Sequence, residues 1–80
     1  MWKEIDNALQ ATFQFQDFIK AFAFMTEVAM HAEKQNHHPC WTNVYNTVEF
    51  KLSTHDAGDI VTEKDLRLAK TIDAIFEKYQ

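Results

Sequence analysis

Eighty residues with 46% apolar content, one cysteine and a formal charge of −4 describe one small domain without an internal disulfide. The eight Lys and Arg, set against twelve Asp and Glu, lie scattered from Lys3 to Lys78 and form no basic stripe, which argues against direct DNA or RNA contact. The opening "MWKEIDNALQ" has no apolar signal core, and no run reaches membrane-spanning length, so the expectation is a cytoplasmic protein. Cys40, alone, fits a reducing compartment.

In chain order, "WKEI" and "ALQATFQF" flank Asp6-Asn7, a turn pair. Leu9, Ala11, Phe13 and Phe15 alternate with Gln10, Thr12, Gln14 and Gln16, the period of a half-buried strand. Asp17 stands where a helix N-cap belongs. Beyond it Phe18, Phe22, Met25, Ala29 and Ala32 recur at spacings of four and three, with Ala21 and Val28 alongside, and predict a helix with that stripe turned inward. The helix is expected to stop near Asn36, because Pro39 cannot continue it and pushes His38 into an extended conformation.

Residues 41–54 return to period two and are long for one strand, which predicts two strands broken near Asn46. Val44, Val48, Phe50 and Leu52 are assigned to one side, and Tyr45, Thr47, Glu49, Lys51 and Ser53 to the other. Gly58 marks a loop. "TEKD" at 62–65 has the form of a capping box and opens a last helix striped by Leu68, Ile72, Ile75 and Tyr79. The order β-β-α-β-β-α predicts an α+β fold of two layers, an antiparallel sheet with helices packed on one face. Residues 1–80 are expected to form a single domain. A small core without staples favours a homo-oligomer.

Chemistry concentrates in "EKQNHHPCWTNVYN" and "LSTHDAGD", which hold His37, His38 and His55. A zinc site is disfavoured: no pair has C-x2-C or H-x3-H spacing, and adjacent histidines in an extended segment point to opposite sides. Cys40 two places after His38 is no evidence for a thiolate nucleophile. There is no G-x-S-x-G and no phosphate-cradling glycine loop. General acid–base chemistry suits imidazoles, which both donate and accept near neutrality. Helix-end capping explains His37 and His38 equally well at this level. Asp65 is fully explained by the capping box, and Glu33 is either a solvated last-turn residue or a partner for His37 four positions on. Trp2, Phe13, Trp41 and Tyr45 have the rings to stack on a flat heteroaromatic ligand, or to pack in the core.

The chain resembles pterin-4a-carbinolamine dehydratases over about Phe13 to Ile75. The resemblance is carried by "FxDFxxAFxFM", Glu33, His37-His38-Pro39, "NVYN", "LSTH" and Asp65, in order and in register. It implies a β-β-α-β-β-α fold, preceded in most of the family by an extra helix that is expected to be absent here. It also implies removal of water from a 4a-hydroxytetrahydropterin, the product of aromatic amino-acid hydroxylases, to give a quinonoid dihydropterin. The catalytic histidines carry over to His37, His38 and His55, with Asp65 and Glu33 as supporting acids and Trp2 near the pterin. Proton transfer is expected of His38 and His55, with Asp65 polarising one imidazole and Glu33 fixing His37. Trp41 and Tyr45 are further candidates for substrate contact. No metal and no cofactor is implied, since the pterin is the substrate. A homodimer or homotetramer is expected, with a functional link to a pterin-dependent hydroxylase. The alternative is a non-catalytic interaction module, because some animal relatives bind and stabilise dimeric transcription factors. Against the common "THDAGGLTEKD" form, "THDAGDIVTEKD" is one residue longer and has Asp59 where a glycine stands.

Overall fold

The computed structural model describes all of residues 1–80. Its elements are β1 (Lys3–Ile5), β2 (Ala8–Gln14), α1 (Phe18–Gln35), β3 (Cys40–Val44), β4 (Thr47–Leu52) and α2 (Glu63–Phe76), with one 3-10 turn at His55–Ala57. The four strands form one antiparallel sheet in the order β1-β2-β4-β3. Asp6 and Asn7 both take positive φ, 52° and 64°, as a tight two-residue hairpin between right-twisted strands requires. The second hairpin turns at Tyr45 (φ 50°) and Asn46, whose side-chain amide donates to the Phe15 carbonyl at 3.0 Å.

Both helices lie over the face formed by Leu9, Ala11, Phe13, Val48, Phe50 and Leu52, and with them enclose one apolar cluster. The other face shows solvent Thr12, Gln14, Glu49 and Lys51. Period two therefore sorts the sheet as the sequence predicts, except at Val44. Val44 pairs with Thr47, so it shares the outward face with Thr47 and Glu49 and is exposed. The turn resets the phase, and alternation counted straight through residues 44–48 is one step out.

Helix α1 is started by Asp17, whose carboxylate accepts from the Lys20 amide at 2.9 Å. It is stopped by Asn36 in the left-handed conformation (φ 52°), and the following His37 amide reaches back to the Ala32 carbonyl at 3.0 Å. Its buried side is Ala21, Phe24, Val28 and Ala32, not the stripe through Phe18 and Phe22. Those two rings lie tilted against each other at 5.6 Å and remain exposed with Ile19 and Met30. The helix is apolar around much of its girth, so spacing alone does not set its rotation. Packing against the sheet does: Phe24 sits 5.5 Å from Phe13 and 6.0 Å from Phe50.

Helix α2 buries Leu68, Ala69, Ile72 and Ile75. After it the chain turns back toward α1, where the Tyr79 hydroxyl donates to Glu27 Oε1 at 2.8 Å and Lys78 pairs with Glu27 Oε2. Those bonds hold the Glu27 carboxyl below its ordinary 4.5 and raise Tyr79 and Lys78 above 10.0 and 10.5. Trp2, just ahead of β1, donates its indole N–H to Asp73 of α2 at 2.9 Å and lies edge-on to Phe13 at 5.8 Å. No helix is long and apolar enough to cross a membrane.

Candidate active site

Three segments meet at one end of the sheet: the turn after α1, the end of β4 with its 3-10 turn, and the start of α2. Between them lies an open cleft of ≈ 230 Å³ lined by polar residues, among them His37, His38, Thr54, His55 and Lys64. The adjacent His37 and His38 and the distant His55 thus share one solvent-facing space. Local rules place each of them. Asn36 in the left-handed conformation swings the chain out of α1 and delivers His37 and His38. Gly58 (φ 91°) and Asp59 (φ 60°) close the loop after His55, with the Gly58 amide on the His55 carbonyl and the Asp59 amide on the Thr54 carbonyl, both at 3.0 Å.

Each imidazole has one nitrogen engaged by a carboxylate, and the three pairs differ. His37 Nε2 lies 2.6 Å from Asp65 Oδ1, with side chains 11% and 0% exposed. His38 Nε2 lies 2.8 Å from Glu33 Oε1, with both side chains mostly in water. His55 Nδ1 lies 3.1 Å from Asp59 Oδ1, at 90% and 71% exposure. The hydrogen bond from His55 to Asp59, together with the charges of Asp59 and Asp56, raises the imidazole above its ordinary 6.5. A larger share of His55 therefore carries a proton near neutrality.

Asp65 serves two ends with two oxygens. Oδ2 accepts from the Thr62 amide at 2.9 Å, completing the capping box of α2, and from the buried Thr54 hydroxyl at 2.8 Å. Oδ1 is left for His37. Capping and histidine pairing, which compete as readings of the sequence, coexist because a carboxylate accepts at both oxygens. The longer loop before Asp65 does not displace it.

Of the other sequence-predicted residues, Glu33 reaches the cleft rim through His38, and the aromatic ones lie elsewhere. Glu33 meets His38 rather than His37: the left-handed Asn36 ends the i, i+4 geometry, so the fifth residue on comes back over Glu33. Trp2 faces Asp73 and the core, and Trp41 lies against Phe50 at 5.7 Å. Tyr45 is exposed at the far end of β3, roughly 16 Å from the cleft end of that strand. Thr54, Asp59, Asn36 and Lys64 belong to the site without having been singled out for it. For Thr54 the signal is present: it continues the inward series Val48, Phe50, Leu52, and a polar side chain at such a position needs a buried partner. No three His, Cys, Asp or Glu side chains are grouped so as to hold a metal ion.

Comparison with known proteins gives the cleft its context. The family model described as pterin 4 alpha carbinolamine dehydratase matches residues 1–75. This chain belongs to that family. A Prochlorococcus marinus (strain MIT 9515) protein with a provisional pterin-4-alpha-carbinolamine dehydratase name is 54% identical over 77 residues, covering 96% of this chain and 79% of its own length. A Bradyrhizobium sp. (strain ORS 278) protein, similarly named, is 57% identical over 76 residues, covering 92% of this chain and 75% of its own. Among solved structures, a transcriptional coactivator/pterin dehydratase from Brucella melitensis superposes with TM-score 0.88 at 43% identity, over 92% of this chain and 80% of that one. A pterin dehydratase-like protein described as a RuBisCO assembly factor in the alpha-carboxysome shares the fold, with TM-score 0.75 at 21% identity over 94% and 86% of the two chains.

Proposed function

We propose that the cleft dehydrates a 4a-hydroxytetrahydropterin by transferring protons between two of its histidines. The observation that carries this reading is the opposite use of ring nitrogens. His37 is tied to Asp65 through Nε2, and its Nδ1 has no protein partner and is not sealed from solvent. His55 is tied to Asp59 through Nδ1, leaving Nε2 free. In this reading imidazolium His55 donates from Nε2 to the 4a-hydroxyl as the C4a–O bond breaks. The N5 lone pair forms the C4a=N5 bond, and the N5 proton passes to Nδ1 of His37. Water and quinonoid dihydropterin leave, and proton exchange with solvent resets both rings. Each transfer is worth ~10²–10⁴-fold.

This arrangement favours His37 over His38 as the base, because only the His37 ring is clamped by a buried acid. His38, at the exposed rim, orients or relays. A metal or redox cofactor has no role in these steps. The single exposed Cys40 thiol fits a reducing, cytoplasmic setting, and a pterin-dependent hydroxylase is the source of substrate in this account.

A second reading rests on the exposed α1 side chains Phe18, Ile19, Phe22 and Met30 and on the coactivator and assembly-factor descriptions of the two structural relatives. There the fold serves as an interaction module, and self-association into a dimer or tetramer uses the same apolar surface. The deciding experiment generates the 4a-hydroxytetrahydropterin in situ and follows quinonoid product by absorbance. Acceleration over buffer is expected. A rate equal to that of buffer hands the fold to the interaction reading.

A further inference from the structure

Thr54 is the one buried polar residue besides Asp65, and the acid–base chemistry above gives it no part. Its hydroxyl touches two groups, Asp65 Oδ2 at 2.8 Å and Thr62 Oγ1 at 2.6 Å. A hydroxyl has one proton, and a carboxylate accepting from the Thr62 amide and from His37 has none to give. Thr54 must therefore donate to Asp65, and Thr62 must donate to Thr54. The Thr62 oxygen in turn accepts from the Lys64 amide at 3.3 Å. The direction is fixed along the whole chain, from the first turn of α2 through two hydroxyls into the carboxylate that holds His37.

We infer that Thr54 is a positioning residue for His37, acting through Asp65. With Oδ2 held by the Thr54 hydroxyl and the Thr62 amide, the carboxylate cannot rotate, and Oδ1 stays on His37 Nε2. That contact keeps the proton on Nε2 and leaves Nδ1 as the acceptor. The Thr54 backbone also anchors the loop that carries His55: its amide donates to the Ile60 carbonyl at 2.8 Å, and its carbonyl accepts from the Ala57 and Asp59 amides. One residue thus registers both imidazoles, His55 through its main chain and His37 through its side chain. A side-chain substitution separates the two functions.

This inference rests on the dehydratase reading for its kinetic consequence but not for its spectroscopic one. Thr54→Val keeps the volume and the backbone bonds and removes the donor. Expected is a fall in kcat on the order of 10–100-fold with KM within about twofold, since a misdirected base costs rate rather than ground-state binding. Thr54→Ser, which restores the hydroxyl, is expected within about threefold of wild type. In imidazole ¹⁵N spectra, wild-type His37 is expected as the Nε2–H tautomer with a slowly exchanging ring proton. Thr54→Val is expected to show mixed tautomers and fast exchange. Should Thr54→Val fail to fold, Thr54→Cys, of similar size and a weaker donor, carries the same measurements.

A Thr54→Val protein with wild-type kcat and an unchanged His37 tautomer overturns the inference. So does a Thr54→Ser protein as impaired as Thr54→Val. A wild type without dehydratase activity removes the mechanism above, while the His37 spectra still decide whether Thr54 sets the ring.

Discussion

His37 and His55 face one cleft from opposite physical situations. The first is a nearly buried imidazole on a fully buried carboxylate that is itself held by a hydroxyl and a helix cap. The second is an exposed imidazole on an exposed carboxylate in a five-residue loop. Burial fixes orientation, because an unsatisfied polar group in the interior costs about 1–3 kcal/mol and alternatives are few. Exposure leaves orientation loose but keeps the ring in exchange with water. A base that must meet one substrate atom benefits from the first condition, and an acid that must be reprotonated each cycle benefits from the second.

Removing the rings should show the difference most strongly. His37→Ala and His55→Ala are both expected to lower kcat by ~10²–10⁴-fold. Only His37→Ala should also destabilise the fold, by about 1–3 kcal/mol, because it leaves the buried Asp65 Oδ1 without its partner. Equal melting temperatures for the two variants would erase the contrast. His38→Ala, at the rim, is expected to lose only about tenfold. A loss matching that of His37→Ala would move the base to His38.

The carboxylates extend the series. Asp65→Ala removes the reciprocal arm of the capping box and the His37 clamp together, while the Thr62 cap itself stays, so stability and rate should fall in one variant. Asp59→Gly removes the main contact that raises His55 and leaves the smaller influence of the Asp56 charge. With His55 as the acid, activity declines as pH rises through its raised value. The glycine variant should move that decline down toward 6.5, seen in the pH dependence of kcat, and leave melting near wild type. The smallest catalytic effect is expected of Glu33→Gln, under threefold, because its pair with His38 is solvated.

Glu27 supplies a control away from the cleft. Its carboxyl is lowered in the fold by Lys78 and Tyr79, so the stability it contributes is present above about 4.5 and lost as pH falls below that. Glu27→Gln should flatten that acid decline in thermal melts and leave the rate of dehydration unchanged.

Much of this was legible in the residues, for identifiable reasons. Asp17, Asn36 and the "TEKD" box act through near neighbours, so the helix ends follow from chain-local rules. The β-β-α-β-β-α order follows from period two giving way to spacings of three and four. The rotation of α1 did not follow, because Phe18, Phe22 and Phe24 all qualify for burial and only the opposing Phe13 and Phe50 choose among them. In the site, the histidines announced themselves by chemistry, but their partners did not. Asp65 lies 28 positions from His37, and Glu33 reaches His38 only because Asn36 reverses the chain. Tyr45 and the tryptophans have the surface to stack on a heterocycle, yet strand length and core packing carry them elsewhere.

The most direct test is a crystal structure with a non-reacting dihydropterin bound. The bicyclic ring is expected in the polar cleft, with its N5 edge toward His37 Nδ1 and the 4a position within reach of His55 Nε2. A ring seated elsewhere, against Tyr45 or the exposed Phe18–Phe22 pair, would contradict the mechanism.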